Sequence, residues 1–321
     1  MAIKILGTGR AVPSKIVTND DLANRMDTSD EWIRSRTGIR ERRIAVTETG
    51  NDMATKAGKE ALIKANIDPE ELDMIFVATM SPDQIMPVTA CDVQKNLGAN
   101  KAMCFDLNAA CSGFVFALHT AAAYLSSGFA HKILIIGAEV LSKVIDWNDR
   151  STCVLFGDGA GAVVISGDSR RSYEAVVGSN GQKGEALALK GRMNQNPYTN
   201  KKEESHSYIT MDGQEVFKFA VSKVPQIIKE VVAKANIKVE EIDWFFLHQA
   251  NERIVQSVAK RLQQPLEKFP MNLDRYGNTS SASIPILLDE LNEAGQIKEG
   301  DKIVLSGFGG GLTWGAIYLI W

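Results

Sequence analysis

The sequence has few cysteines, no excess of either charge and no long apolar run. Its four cysteines are too few for a disulfide scaffold in a chain of 321 residues, and no two of them form a Cys-x-x-Cys pair. The formal net charge of −3 provides no overall attraction to nucleic acid or to an anionic membrane, so we expect neither as a partner. No stretch approaches the ~20 apolar residues of a membrane span, and the short apolar run at the N-terminus is interrupted by Gly7 and Gly9, unlike a signal peptide. We therefore expect a reduced, cytosolic globular protein.

The composition is instead that of a globular α/β protein. Hydrophobic residues make up 45% and charged residues 23%, enough for a sizeable core. Short apolar segments typical of strands alternate with segments of helical periodicity. The predicted strands are 3–7, 73–79, 131–137, 160–166, 174–178, 243–248, 301–307 and 314–320. The predicted helices are 52–65, 90–97, 111–127, 214–235, 252–263 and 283–294.

The chain also contains an internal duplication with an offset of 170 positions. Residues 65–73 (ANIDPEELD) recur at 235–243 (ANIKVEEID), with six of nine positions identical. The same offset aligns two further pairs of segments, 132–137 with 302–307 and 108–113 with 278–283. Unrelated βα units would share apolar runs but not this common spacing.

From the duplication we predict two similar halves, residues 1–172 and 173–321, that pack about a pseudo-twofold axis. Three segments interrupt the symmetry: the Arg-rich stretch 25–45, the segment 138–157, and the polar loop 190–208 with Asn194, Asn196, Pro197 and Asn200. Loops added to a rigid scaffold often carry specificity, so we expect substrate contacts there.

Cys111 is the first candidate functional residue. It lies at the start of the predicted helix 111–127, where unpaired N–H groups and the helix dipole favour a thiolate. Taken alone, a free cysteine is more often a buried structural residue, and that interpretation is kept for Cys91, Cys104 and Cys153.

His248 and Asn278 change the interpretation of Cys111. His248 ends an apolar strand, and Asn278 begins the helix that the duplication matches to the helix of Cys111. A satisfied core histidine and an N-cap asparagine are the structural alternatives. The glycine-rich segment 307–315 lacks the Lys-Ser/Thr of a nucleotide-binding loop and fits an oxyanion hole better. The duplication would bring all of these groups to one cleft.

Together these segments resemble the β-ketoacyl-acyl carrier protein synthase III family of the thiolase superfamily, over essentially the whole chain. The resemblance rests on four motifs: Asn108-Ala-Ala-Cys-Ser-Gly-Phe114, His248-Gln-Ala-Asn-Glu-Arg-Ile254, Tyr276-Gly-Asn-Thr-Ser-Ser-Ala-Ser283 and Gly307-Phe-Gly-Gly-Gly-Leu-Thr-Trp-Gly315. It implies a thiolase-like, five-layered αβαβα fold and a homodimeric, cytosolic acyltransferase. That enzyme would start fatty acid synthesis by decarboxylative condensation of a short acyl-CoA with malonyl-acyl carrier protein, without a metal or redox cofactor.

Other functions remain open at this point. A starter-loading condensing enzyme of a polyketide or quinolone-type pathway would use the same Cys-His-Asn chemistry. A non-catalytic scaffold is disfavoured by the intact set of three residues, and a papain-like protease by the absence of its sequence signature around the cysteine.

The resemblance also implies a role for each matching residue. Cys111 would be the nucleophile, the backbone N–H groups of Cys111 and Gly310 the oxyanion hole, and His248 and Asn278 hydrogen-bond donors to the malonyl thioester. The CoA-binding residues would be Thr28, Trp32, Arg36, Arg150, Gly213, Phe217 and Asn251. The carrier-protein-binding residues would be Gln249, Ala250, Asn251, Glu252, Arg253 and Lys260. Met86 would enter the acyl pocket of the neighbouring subunit, and its flexible side chain leaves the primer open between acetyl and branched chains.

Overall fold

The computed structural model describes residues 3–191, 196–198 and 208–321; Asn194, Asn200 and His206 lie outside them. The strands are β1 Ile3–Ala11, β2 Lys15–Thr18, β3 Glu41–Ile44, β4 Met74–Ala78, β5 Met103–Leu107, β6 Lys132–Glu139, β7 Gly159–Gly167, β8 Tyr173–Ser179, β9 Leu187–Ala188, β10 Thr210–Met211, β11 Trp244–Leu247, β12 Lys302–Gly309 and β13 Thr313–Ile320. The α-helices are α1 Asn19–Ala23, α2 Asp30–Thr37, α3 Gly50–Ala65, α4 Thr89–Leu97, α5 Gly113–Ser126, α6 Arg150–Cys153, α7 Gly213–Lys234, α8 Glu252–Leu262, α9 Leu273–Tyr276 and α10 Ser283–Glu293.

Two mixed sheets have the same strand order. The first sheet runs β1-β7-β6-β4-β5 and the second runs β8-β13-β12-β11. The equivalent central strands pair alike, with β4 parallel to β6 and β11 parallel to β12. Strand β5 has no counterpart, because the segment that follows it by 170 positions forms α9 instead. The duplication therefore covers four strands of each sheet.

Helices pack on both faces of each sheet and produce the five expected layers. Side chains on β4 alternate, so that Ile75 contacts the outer layer formed by α3 and α4 while Phe76 enters the central layer. The central layer consists of α5 and α10, which fill the space between the two sheets. Helices α7 and α8 cover the far face of the second sheet, where Phe245 and Val304 are buried. No helix among the described residues is long and apolar enough to cross a bilayer.

The duplication extends to unusual backbone conformations. Asn66 caps the C-terminus of α3 and Asn236 lies two residues beyond the end of α7, with φ of 54° and 56°. Ala110 and Ser280 adopt φ of 47° and 50° in the two 3₁₀ turns that precede α5 and α10. The left-handed region costs a non-glycine residue about 1 kcal/mol, so its recurrence at matched positions reflects a shared packing requirement. The boundary between residues 172 and 173 stays a prediction.

The Arg-rich stretch 25–45 contains structure that periodicity did not indicate. It holds α2 and β3, and β3 pairs antiparallel with β2. Arg42 is fully buried, and its guanidinium donates to the carbonyl oxygens of Val17 and Val154. Burial lowers the pKa of Arg42 to about 10. The stretch is thus partly a structural element rather than a surface loop.

Candidate active site

A cavity of about 490 Å³ brings Cys111, His248 and Asn278 together. Cys111 comes from the 3₁₀ turn Ala110–Ser112, His248 from the end of β11, and Asn278 from the segment after α9. Both halves of the chain therefore contribute to one site, as the duplication predicted.

Cys111 is buried, with 6% of its surface exposed, and it lies ahead of α5 rather than inside it. Burial raises the pKa of its thiol to about 12; the Ser280 hydroxyl acts in the opposite direction, and the charge of Glu139 adds to the rise. Burial thus favours the neutral thiol in the free protein, against the expectation that the helix start would favour a thiolate.

His248 continues the β11–β12 ladder for one residue, since its N–H donates to the Ser306 carbonyl at 2.8 Å. The side chain is 1% exposed, and the ring packs edge-on against Phe308 with centroids 5.2 Å apart. Burial lowers the pKa of His248 to about 3. The imidazole is therefore neutral at physiological pH, with one ring nitrogen protonated. Its Nδ1 lies 2.8 Å from the Ser283 hydroxyl.

The Asn278 side chain is oriented by its own turn. Its Oδ1 accepts a hydrogen bond from the Ser280 N–H at 2.9 Å, so the Nδ2 group is directed away from that backbone. The main chain is fixed as well, because the Asn278 N–H donates to the Leu155 carbonyl at 2.8 Å. Asn108 repeats the side-chain arrangement at the matched position, where Oδ1 accepts from the Ala110 N–H at 3.0 Å. Asn278 can therefore offer an amide donor to a ligand in the cavity.

The glycine-rich segment lies directly against the 3₁₀ turn Ala110–Ser112 that contains Cys111. A Cβ added to Gly309 would lie 2.6 Å from the Cys111 backbone nitrogen, closer than real Cβ atoms approach. Gly310 follows in the cavity wall, where a Cβ would lie 2.9 Å from the Leu187 carbonyl. Glycine is needed here so that two backbone segments and a ligand can share the same space.

The predicted CoA residues form two groups. Gly213, Phe217 and Asn251 line the cavity. Thr28, Trp32, Arg36 and Arg150 do not line it and cluster at α2 instead, where the guanidinium carbons of Arg36 and Arg150 lie 4.6 Å and 4.7 Å from the centroid of Trp32.

Local contacts hold the α2 cluster in place. Ser29 caps α2 by accepting from the Trp32 N–H, and Thr28 Oγ1 is buried without a hydrogen-bond partner among the described residues. The Asn251 amide donates to the Arg36 carbonyl at 3.0 Å and thereby joins the cluster to the cavity wall.

The carrier-protein residues do not share one surface. The assignment of Gln249 to that surface is wrong, because its side chain is 1% exposed and donates to the Leu247 carbonyl at 2.8 Å. Ala250 lines the cavity, and Glu252 is only half-buried at the start of α8. Arg253 and Lys260 are exposed on α8, which leaves them accessible to a partner.

Met86 lies far out on the surface, with 86% of its area exposed, between β4 and α4. It does not line the cavity of its own chain. Its role in the acyl pocket of a neighbouring subunit stays a prediction.

Sequence reasoning missed several residues around the cavity. Asn108, Ser280 and Phe308 line it, and Ser283 contacts His248. All four lie inside the motifs on which the resemblance rests. Their position within a motif could therefore have identified them as site residues. Within residues 3–191, 196–198 and 208–321, no group of three His, Cys, Asp or Glu side chains is placed to hold a metal ion.

Comparisons with known proteins agree on one family. Residues 105–181 match the family model described as 3-oxoacyl-[acyl-carrier-protein (ACP)] synthase III, and residues 232–321 match the model of its C-terminal part. The β-ketoacyl-[acyl-carrier-protein] synthase III of Clostridium acetobutylicum is 50% identical over 321 residues, which cover 100% of this chain and 99% of that relative.

Solved structures extend the similarity to the fold. The 3-oxoacyl-[acyl-carrier-protein] synthase III of Aquifex aeolicus VF5 has a TM-score of 0.93 and 47% identity, covering 99% of this chain and 100% of that one. The priming β-ketosynthase from the R1128 polyketide biosynthetic pathway has a TM-score of 0.93 and 35% identity, covering 99% and 96%. The fold is thus of the thiolase-like α/β type. Its full-length similarity to named relatives makes this chain a member of the β-ketoacyl-[acyl-carrier-protein] synthase III family.

Proposed function

We propose that this enzyme starts fatty acid synthesis by condensing a short acyl-CoA with malonyl-acyl carrier protein through an acyl-cysteine intermediate. The observation that carries the proposal is the convergence of Cys111, His248 and Asn278 on one cavity in a chain of this family. The remaining steps follow from the chemistry of these three groups.

In the first half-reaction Cys111 attacks the acyl thioester. The Cys111 sulfur forms a bond to the acyl carbon, the bond to the CoA sulfur breaks, and the thiol proton leaves with CoA. The backbone N–H groups of Cys111 and Gly310 stabilise the tetrahedral oxyanion. Since burial holds the pKa of the free thiol near 12, the proton must be removed as the substrate binds or reacts.

In the second half-reaction malonyl-acyl carrier protein loses CO₂. The electron pair of the broken C–C bond moves into an enolate, whose charge develops on the thioester oxygen. His248 Nε2–H and the Asn278 amide donate hydrogen bonds to that oxygen. The carbanion then attacks the acyl-Cys111 carbonyl and the Cys111 thiolate leaves. A neutral His248 suits this task, because it donates a hydrogen bond without titrating near physiological pH.

The surface groups extend the proposal to binding. Trp32 offers an aromatic face, and Arg36 and Arg150 supply cations for the adenine and phosphates of CoA. Thr28, with its unpaired hydroxyl oxygen, is a further contact. Arg253 and Lys260 would steer an acidic carrier protein towards α8. A homodimer that shares Met86, a cytoplasmic location and a reaction without a metal or redox cofactor are parts of the same proposal.

The decisive experiment is intact-mass analysis after mixing the protein with a panel of short acyl-CoAs. We expect one acyl group on Cys111 in the wild-type protein and none in Cys111→Ala, with unchanged circular dichroism. Cys153→Ala is the matched control, because Cys153 is buried like Cys111 but does not line the cavity. Acylation of Cys111→Ala near the wild-type level would refute the nucleophile.

A second candidate is a starter-loading ketosynthase of a polyketide or quinolone-type pathway, which the 35% identity to the priming enzyme favours. The higher identity to the Clostridium acetobutylicum relative supports fatty acid synthesis more strongly. Condensation assays with malonyl-acyl carrier protein and with malonyl-CoA separate the two functions. A strict preference for malonyl-CoA would contradict the first.

A further inference from the structure

The hydrogen-bond partner of His248 Nδ1 determines whether the other ring nitrogen, Nε2, carries a proton. The Ser283 hydroxyl lies 2.8 Å from His248 Nδ1 and also 2.8 Å from the Ser280 carbonyl oxygen. Both side chains are buried, at 1% and 2% exposure, so water cannot take over either contact. The Gln249 N–H approaches the same hydroxyl oxygen at 3.4 Å. The hydroxyl therefore has one proton and two acceptors within reach.

The two orientations of this hydroxyl have opposite consequences. If its proton points to the Ser280 carbonyl, Nδ1 must carry the ring proton and donate it to the Ser283 oxygen, which leaves Nε2 as a lone pair. If its proton points to Nδ1, the ring proton resides on Nε2. Only the second arrangement lets a neutral His248 donate to a developing enolate oxygen.

The duplication supplies a second observation. The position 170 residues before His248 is Ala78, and the position 170 residues before Ser283 is Gly113. In that half of the molecule the equivalent pair is also in contact, since a Cβ added to Gly113 would lie 3.2 Å from the Ala78 Cβ. The imidazole and the hydroxyl are thus present together in one half and absent together from the other. The serine at position 283 therefore accompanies the histidine, and the backbone conformation of the turn does not require it.

We propose that Ser283 is a positioning residue that donates its hydroxyl proton to His248 Nδ1 and so holds the Nε2–H tautomer for the decarboxylation step. This inference rests on the proposed function of His248. Ser283 keeps its own proton throughout, and no covalent bond to it forms or breaks. Acylation of Cys111 does not use the Nε2 donor in this scheme, so the two half-reactions should respond differently when Ser283 is changed.

The test compares Ser283→Ala and Ser283→Thr in both half-reactions. We expect Ser283→Ala to slow CO₂ release from malonyl-acyl carrier protein by about 100-fold, as for loss of one oriented donor. Acylation by acyl-CoA should stay within about threefold, because its oxyanion donors are backbone groups. Ser283→Thr keeps the hydroxyl and should restore most of the CO₂ release. Ser281→Ala is the control, because that hydroxyl in the same turn contacts Glu139 and not His248.

A nitrogen-15 NMR spectrum of histidine-labelled protein reads the tautomer directly. We expect the wild-type resonance of His248 Nδ1 to be that of an unprotonated, hydrogen-bonded nitrogen, and Ser283→Ala to shift it. A protonated Nδ1 in the acylated wild-type enzyme would overturn the inference even if Ser283→Ala failed to fold. Equal slowing of both half-reactions would overturn it as well. A wild-type protein that no acyl-CoA acylates would instead overturn the proposed function.

Discussion

The turn at residues 108–113 and the turn at residues 278–283 have the same backbone, yet only the first contains a cysteine. Each turn packs against the sheet of the opposite half. A Cβ on Gly307 would lie 3.1 Å from Ser112 Cα, and a Cβ on Gly137 would lie 2.3 Å from the Ser281 carbonyl. Close contact between a turn and a strand is thus common to both halves and cannot by itself create a site.

The surroundings of the two turns differ two residues further along these strands, where β12 ends in Gly309 and β6 ends in Glu139. Ser281 stands where the first turn has Cys111, and it lies 2.9 Å from a carboxylate oxygen of Glu139. The same carboxylate accepts from the Ser81 hydroxyl at 2.5 Å, so polar side chains fill this end of the cleft. Gly309 has no side chain, and its backbone packs directly against the Cys111 backbone nitrogen. The end of one strand thus presents a carboxyl group to Ser281, and the end of the matched strand presents only backbone to Cys111.

The largest effect is expected from giving Gly309 a side chain. In Gly309→Ala the new Cβ would meet the Cys111 backbone nitrogen, so Cys111 and its backbone N–H group must move. A displacement of about 1 Å can cost about 100-fold in rate. We expect acylation of Cys111 to fall by about 100-fold or more in single-turnover mass measurements.

Gly181→Ala is the control for this change, because a Cβ there meets nothing within 4 Å. It should acylate like the wild type. A Gly309→Ala protein that is acylated within about threefold of the wild-type rate would show that the close backbone contact between Gly309 and Cys111 is not essential.

The second comparison concerns the two central helices, at matched positions 289 and 119. Asp289 on α10 is fully buried and accepts from Lys64 and from the Thr8 hydroxyl, each at 2.6 Å, with Arg10 as a further partner. His119 on α5 makes one hydrogen bond, to the Tyr173 hydroxyl at 3.0 Å.

We expect Asp289→Ala to lower the free energy of unfolding by about 2–4 kcal/mol, because it removes the shared carboxylate of a buried ion network. His119→Ala should cost only about 1 kcal/mol, the value of a single neutral hydrogen bond. Urea unfolding of both variants checks this order. If both substitutions lowered the free energy of unfolding equally, the ion network around Asp289 would not stabilise the contact between the halves.

Part of this site could be predicted from the sequence. The motifs of Cys111 and Asn278 match at the offset of 170, and His248 ends the strand that follows the repeated segment 235–243, so the duplication implied a shared cleft. The state of the thiol could not be predicted, because desolvation depends on all the chain that covers Cys111. Gln249 was assigned wrongly since a residue just beyond a strand can turn inward, and its amide bonds back to Leu247. Helix α2 was not predicted, because polar residues lie on nearly every side of it and leave no clear apolar periodicity.

The smallest effect is expected at Glu139, and it depends on pH. Burial raises the pKa of this carboxyl above its ordinary value of 4.5, so the folded protein holds the Glu139 proton more tightly than the unfolded chain does. The resulting stabilisation is fully present below the unfolded pKa and is lost as the pH rises through the folded pKa. Glu139→Gln, which stays neutral, should therefore gain stability relative to the wild type as the pH rises from 5 to 8.

Urea unfolding of the wild type and Glu139→Gln across that range measures the difference. Glu48→Gln is the control, because hydrogen bonds from the Ser14, Val46 and Thr47 N–H groups lower the pKa of Glu48 to about 2. Its contribution changes only as the pH falls below 5, so its difference from the wild type should stay nearly constant between pH 5 and 8. If the wild type instead gained on Glu139→Gln with rising pH, Glu139 would be an ionised partner of Ser81 and Ser281. The turn at residues 278–283 would then contact a charged side chain, whereas the turn at residues 108–113 contacts only the backbone of Gly309.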